Sequence, residues 1–181
     1  MTDRAPGAFA LPRGSWSIDP ENSRVGFAIK HMALKTLHGT FQEFEGTLDL
    51  NGGAPTASGS VRAASIDTGE PIRDGHLRES SDFFDVEQHP EIAFRSTRIA
   101  GSGRRLRIEG ELTMRGVTRH LVLEGELDEP AGERRIGLRL QGELNRKDFG
   151  LTWNQALDAG GALLGNKVKL DLLLSAHSGQ P

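Results

Sequence analysis

Long runs of period-two alternation constrain this chain more than any other feature. From Arg104 to Met114, Leu106, Ile108, Gly110, Leu112 and Met114 fall on one side. Arg105, Arg107, Glu109 and Glu111 fall on the other. Side chains of an extended strand alternate between faces, so this run reads as a half-buried β-strand. His120 to Leu127 repeats the pattern with Leu121, Leu123, Gly125 and Leu127, and Arg135 to Leu144 with Ile136, Leu138, Leu140, Gly142 and Leu144. Lys167 to Ala176 closes the set with Val168, Leu170, Leu172 and Leu174. Earlier strands are expected at Ser15 to Ile18, at Ser23 to Met32 with Val25, Phe27, Ile29 and His31 on one face, at Ser58 to Ala64 and at Glu91 to Ile99. Gly39 to Leu50 reads as one strand with a register break, because Phe41 and Phe44 share a face only across a bulge. The pattern predicts an all-β chain.

The alternation stops between Ser65 and Pro90. Gly69 and Pro71 break any strand there, and Ile72, Leu77, Phe83 and Phe84 are scattered among charges. This stretch reads as a turn, a short helix and a loop, inserted after the third main strand to close one end of the sheet. A second long connection, Asn145 to Asn166, exceeds a simple hairpin and reads as a lid-like segment with a short helix around Gln155 to Asp158.

Four strands share the pattern apolar-x-Gly-x-Leu: F-E-G-T-L from Phe44, I-E-G-E-L from Ile108, L-E-G-E-L from Leu123 and L-Q-G-E-L from Leu140. Each glycine falls on the apolar face. Glycine inside a strand marks a bend or a close approach, as at a barrel corner. The alternative is that the missing side chains leave internal space. The two readings are compatible, since a closed sheet of about eight strands is just wide enough to hold a small ligand.

At 181 residues the chain is read as one domain over 14–177, with a flexible arm at 1–13 and a frayed tail at 178–181. Its 22 basic and 25 acidic residues give a net charge of −3, which makes no case for nucleic acid or an anionic membrane. Cysteine is absent, which removes disulfides, thiol nucleophiles and thiolate metal sites. The first residues contain no apolar run of signal-peptide length, so a cytoplasmic location is expected.

Chemistry is sparse. Arg73, Asp74 and His76 cluster in the insert. They serve as local salt bridges and hydrogen bonds, as a polar anchor for a ligand, or as an acid–base site. The last needs a second poised group, and the sequence offers none. His31, His38, His76, His89, His120 and His177 form no metal-binding spacing. His31 ends the apolar register of its strand, as a hydrogen-bonded strand end or as a polar residue at a cavity rim. Asp148-Phe149-Gly150 matches the kinase magnesium tripeptide, but no glycine-rich loop or H-R-D accompanies it. Asn145, Arg146 and Asp148 are instead expected to tie a strand end to the next loop.

Several segments together resemble one family. They are W-S-I-D-P-E-N-S-R-V-G-F-A-I-K-H-M from Trp16, G-T-F-Q-E-F-E-G from Gly39, S-I-D-T-G from Ser65 and R-D-G-H-L from Arg73. D-F-F-D-V-E-Q-H-P-E-I-A-F from Asp82, G-E-L-T-M-R-G-V-T from Gly110 and N-R-K-D-F-G-L from Asn145 follow in order. The chain from Trp16 to Ala176 resembles the YceI-like family, lipocalin-like polyisoprenoid-binding proteins. The resemblance implies an extended antiparallel eight-stranded barrel whose elongated apolar interior binds a long isoprenoid or similar lipid. It also implies a homodimer. Many relatives are exported, and this chain departs from them in showing no signal.

The expected function is therefore non-enzymatic binding of a long-chain isoprenoid, such as a prenyl quinone or polyprenyl phosphate, for carriage, storage or sequestration. No cofactor is required; the bound lipid is the expected ligand. The expected wall takes Phe27, Ile29 and Phe41 from the early strands, Leu106, Ile108 and Leu112 from the next, and Leu121, Leu123, Leu138 and Val168 from the last three. Phe83, Phe84 and Trp153 belong to the closing segments, and Arg73, His76, His31 or Arg146 meets the polar end. The competing readings are an enzyme acting on a lipid-like substrate through His76 and Asp74, and a solid-core interaction domain.

Overall fold

The computed structural model describes residues 13–32, 34–128, 134–155, 157 and 162–178. Among them the strands are β1 (Ser15–Ile18), β2 (Arg24–His31), β3 (Lys35–Phe41), β4 (Phe44–Asp49), β5 (Thr56–Arg62) and β6 (Ile66–Asp67). The helix α1 (Pro71–Glu79) follows, then β7 (Glu91–Ser102), β8 (Arg105–Met114), β9 (Val117–Leu127), β10 (Arg135–Asn145) and β11 (Leu164–Ser178). All pairings are antiparallel, in the order β1-β4-β5-β7-β8-β9-β10-β11, and β11 pairs back with β1. That pairing closes a barrel of eight strands with one short helix.

The seam is β11. Along one edge it takes β10 from Arg135↔His177 to Asn145↔Lys167. Along the other it takes β1 at Ile18↔Ala176 and then β2 from Leu173↔Arg24 to Leu164↔His31. Between β1 and β2 the chain makes a turn of 3-10 helix at Pro20–Asn22. Asp19 caps that turn, accepting from Glu21 N at 3.1 Å and from Asn22 Nδ2 at 2.7 Å.

The expected strand from Gly39 to Leu50 is two strands, not one with a bulge. The break at Gln42 and Glu43 has a topological cause. β3 pairs with β2 and β6, whereas β4 pairs with β1 and β5, so no partner runs past both. Ser65 satisfies the backbone at the break: its carbonyl accepts from Gln42 N and its hydroxyl from Glu43 N. β3 also starts at Lys35, ahead of the expected Gly39.

The insert after β5 is helical as expected. Glu70 caps α1 by accepting from Ile72 N at 3.1 Å and Arg73 N at 2.7 Å, and Pro71 takes the first helical position, where its missing N–H costs nothing. Of the helix expected at Gln155 to Asp158, Gln155 and Leu157 are described and neither is helical; the other positions lie outside the described residues. The expected arm lies almost wholly outside them as well. Ser178, placed in the expected tail, pairs with Trp16 at the end of β11.

The inward rows are those the alternation marks. Leu106, Ile108, Leu112 and Met114 on β8 are buried, as are Leu121, Leu123 and Leu127 on β9 and Ile136, Leu138 and Leu140 on β10. Each such side chain contributes about 1.5–3 kcal/mol of burial free energy. Three of the four repeat glycines correct the idea of vacated space. A Cβ on Gly110 would fall 2.5 Å from Phe94 Cζ, one on Gly142 would fall 2.8 Å from Leu123 Cδ2, and one on Gly125 would collide with the Arg139 carbonyl oxygen. Neighbours fill those positions, as the corner reading requires. Gly46 differs. It pairs with Gly59 across β4 and β5, and both form part of the hollow described next.

Candidate functional site

The barrel interior holds a cavity of about 420 Å3 whose wall draws residues from every strand and from α1. Its surface is almost entirely aliphatic and aromatic. Side chains therefore do not meet across the whole axis, and the solid-core alternative loses its basis.

Of the candidate residues, Phe27, Ile29 and His31 on β2, Phe41 on β3, and Ile108 and Leu112 on β8 lie on this wall. Leu121, Leu123, Leu138 and Val168 complete the strand contribution. Arg73, His76, Phe83, Phe84, Arg146 and Trp153 join them from the closing segments. Leu106 does not, which corrects its assignment. It is 5% exposed, but it pairs with Gly101 and Gly125 beside the fully buried Leu127, where side chains fill the barrel. Facing inward and touching the hollow are different properties.

The sequence reading passed over other wall residues. Leu170, Leu172 and Leu174 share the β11 row with Val168, and the same alternation marks them. Leu151 carried no such signal. It is buried because the 3-10 turn Arg146–Phe149 and Gly150, with φ of 78°, fold the chain back toward the barrel.

One end of the cavity is closed by two segments remote in sequence. The His76 ring on α1 packs edge to face on Phe83, with centroids 5.3 Å apart, and on Trp153 at 6.2 Å. Phe83 and Trp153 lie 5.5 Å apart. A second aromatic line runs from Phe27 to Phe41 at 5.7 Å and on to Phe84 at 5.9 Å. The insert and the connection before β11 thus meet over the hollow. Asn154, which the sequence reading did not single out, holds the second segment. Its Oδ1 accepts from Leu164 N and its Nδ2 donates to Leu164 O, both at 2.9 Å.

Arg73 and His76, three apart on α1, share the face toward the cavity. Asp74 does not. Its buried carboxylate accepts from Thr68 N at 3.0 and 3.1 Å and from the Thr68 hydroxyl at 2.5 Å. Thr68 also accepts from Arg73, at Oγ1 from Nε at 2.8 Å and at its carbonyl from Nη2 at 2.9 Å. The Arg73–Asp74 pair is thus bound into a local network. The acid–base pairing of Asp74 with His76 is not formed, since the acid is committed to Thr68.

Arg146 is the other charged group sunk in the wall. Nε donates to Gly165 O at 2.8 Å, and Nη1 donates to Leu151 O at 2.5 Å and Trp153 O at 2.9 Å. This ties the end of β10 to the following loop, as expected of this motif. Burial pushes the guanidinium pKa below its ordinary value. A closed barrel with an apolar hollow, covered at one end by aromatic rings and edged by Arg73 and Arg146, is suited to hold a long apolar molecule with a polar end.

The model of the YceI-like domain family matches residues 16–176. The chain belongs to the YceI-like family. It is 34% identical over 174 residues to Protein YceI of Escherichia coli, covering 91% of this chain and 86% of that protein. It is 36% identical over 146 residues to Protein YceI of Salmonella newport, covering 76% of each. Solved structures share the YceI-like fold. BcnA of Burkholderia cenocepacia superposes with a TM-score of 0.75 at 20% identity, covering 87% of this chain and 98% of that one. A polyisoprenoid binding domain from Saccharophagus degradans superposes with a TM-score of 0.69 at 16% identity, covering 92% and 99%. At such identities these structures establish the lipocalin-like barrel of this YceI-like chain.

Proposed function

We propose that this protein binds a long-chain isoprenoid, or a lipid of similar shape, inside its barrel, and that it carries, stores or sequesters the lipid without turning it over. The observation behind this reading is the apolar hollow walled by every strand. The shared fold with the Saccharophagus polyisoprenoid binding domain supports it. Each methylene moved from water into such a site contributes about 0.8 kcal/mol, so a dozen carbons contribute about 10 kcal/mol gross. Association costs roughly 4–15 kcal/mol, so a long chain is needed for tight binding. The commitment of Asp74 to Thr68 argues for binding over catalysis. The assembly is proposed to be a homodimer.

Native mass spectrometry of protein purified from cells, followed by lipid extraction, tests the reading. A mass increment released as a long-chain lipid is expected, on a dimer. Protein that stays unliganded after incubation with isoprenoid quinones and polyprenyl phosphates overturns it.

A further inference from the structure

A guanidinium carries five N–H donors. In Arg146, Nε and Nη1 place three of them on the carbonyls of Gly165, Leu151 and Trp153. Nη2 is buried and has no acceptor among the described residues. Arg146 is only 3% exposed and makes no ion pair with a described carboxylate. A buried donor left unmade costs about 1–3 kcal/mol, and a buried charge without a counter-ion costs more. Tying the loop to the strand accounts for three of the donors and leaves Nη2 unexplained.

The surroundings have the same bias. The ionisable residues on the cavity wall are His31, Glu45, Arg73, His76 and Arg146. Glu45 is exposed, between the half-buried Phe44 and Gly46 on β4, so strand alternation turns its carboxylate to the outer face. Asp74, the buried acid of α1, is committed to Thr68. Among the described residues the polar end of the hollow therefore presents the guanidinium groups of Arg73 and Arg146 with no facing carboxylate. Arg146 is joined through the Trp153 carbonyl to the aromatic group of His76, Phe83 and Trp153 that closes this end.

We infer that Arg146 Nη2 receives an anionic oxygen of the bound lipid, from a carboxylate or a phosphate, and that the site thereby selects acidic amphiphiles over neutral ones of equal chain length. This rests on the lipid-binding reading and adds the class of headgroup. The apolar chain lies along the barrel and the acid sits beneath the aromatic closure. A hydrogen bond to a charged group contributes more than a neutral one, and carboxylates and phosphates are the natural partners of a guanidinium.

The test compares a long-chain fatty acid, the monoalkyl phosphate and the primary alcohol of the same chain length. Binding is followed by displacement of a fluorescent lipid at about pH 8, where the carboxyl is ionised. The wild-type protein is expected to bind the acid, the phosphate or both at least about ten-fold more tightly than the alcohol. Which of the two it prefers identifies the source of the anion. In Arg146→Gln the preference is expected to collapse toward parity while alcohol binding persists. Arg107→Gln, on the outer face of β8 and off the cavity wall, is expected to keep the preference. Equal binding of acid, phosphate and alcohol by the wild-type protein overturns the inference, whether or not the variant folds. So does a preference that survives in folded Arg146→Gln. Failure of all three to bind overturns the lipid-binding reading, and this inference falls with it.

Discussion

The His76 and Trp153 rings stand edge to face with centroids 6.2 Å apart, at an interplanar angle of 87°. One belongs to the helical insert after β5 and β6, the other to the connection between β10 and β11. Neither segment closes the barrel alone, and their contact completes the aromatic cover over the hollow. Trp153 also lends its carbonyl to Arg146, so the cover is anchored to the strand end by a charged hydrogen bond.

Trp153→Ala is expected to leave the barrel folded and to speed lipid release. The edge-to-face contacts contribute about 0.5–1.5 kcal/mol each beyond their buried area. Their loss lowers stability by about 1–3 kcal/mol and opens one end. Stopped-flow displacement of a fluorescent lipid should show a faster off-rate, with the far-UV spectrum unchanged. An unaltered off-rate would show that ligand leaves elsewhere.

The repeat glycines are expected to differ in tolerance. In Gly125→Ala the new methyl meets the Arg139 carbonyl oxygen, which is backbone and part of the β9–β10 ladder, so the strands must separate. The expected loss is about 2–3 kcal/mol or more in urea denaturation. In Gly46→Ala the methyl meets Ile18 Cγ1 at 3.1 Å and Ser58 O at 3.3 Å, on the cavity side of the wall. A smaller loss, about 1 kcal/mol, is expected. Equal losses would contradict the distinction between a close approach and a cavity position.

Asp19 gives a pH dependence. Hydrogen bonds from Asn22 and Arg135 hold its carboxyl below the usual value of 3.8. A depressed folded-state pKa stabilises the fold above the unfolded value and loses that contribution as pH falls through the folded one. Asp19→Asn should therefore melt below the wild-type protein at neutral pH. The gap should stay constant down to about pH 5, shrink as pH drops through and below 3.8, and close in stronger acid. Melting curves across that range measure it, and a gap that persists in strong acid would assign the effect to lost hydrogen-bond geometry instead of charge.

Much of the architecture was legible in the residues. Alternation from Arg104 onward marked four long strands and their inward rows, because a strand's two faces follow from local geometry. Ser65 to Pro90 announced the helical insert because the alternation stops there and Gly69 and Pro71 break any strand; the Glu70 cap emerged only in the structure. Asn145 and Arg146 announced a tie between a strand end and its loop. The seam at β11, the split of β3 from β4, the exclusion of Leu106 from the hollow and the turning of Asp74 toward Thr68 were not legible. Nor was the Arg146 nitrogen that finds no acceptor among the described residues. Each depends on which groups arrive from distant parts of the chain: Gly125 across from Leu106, Thr68 beside Asp74, three carbonyls around one guanidinium. Residue order sets the face a side chain takes, but filled and empty space, and paired and unpaired donors, are properties of neighbours that meet only when the barrel closes.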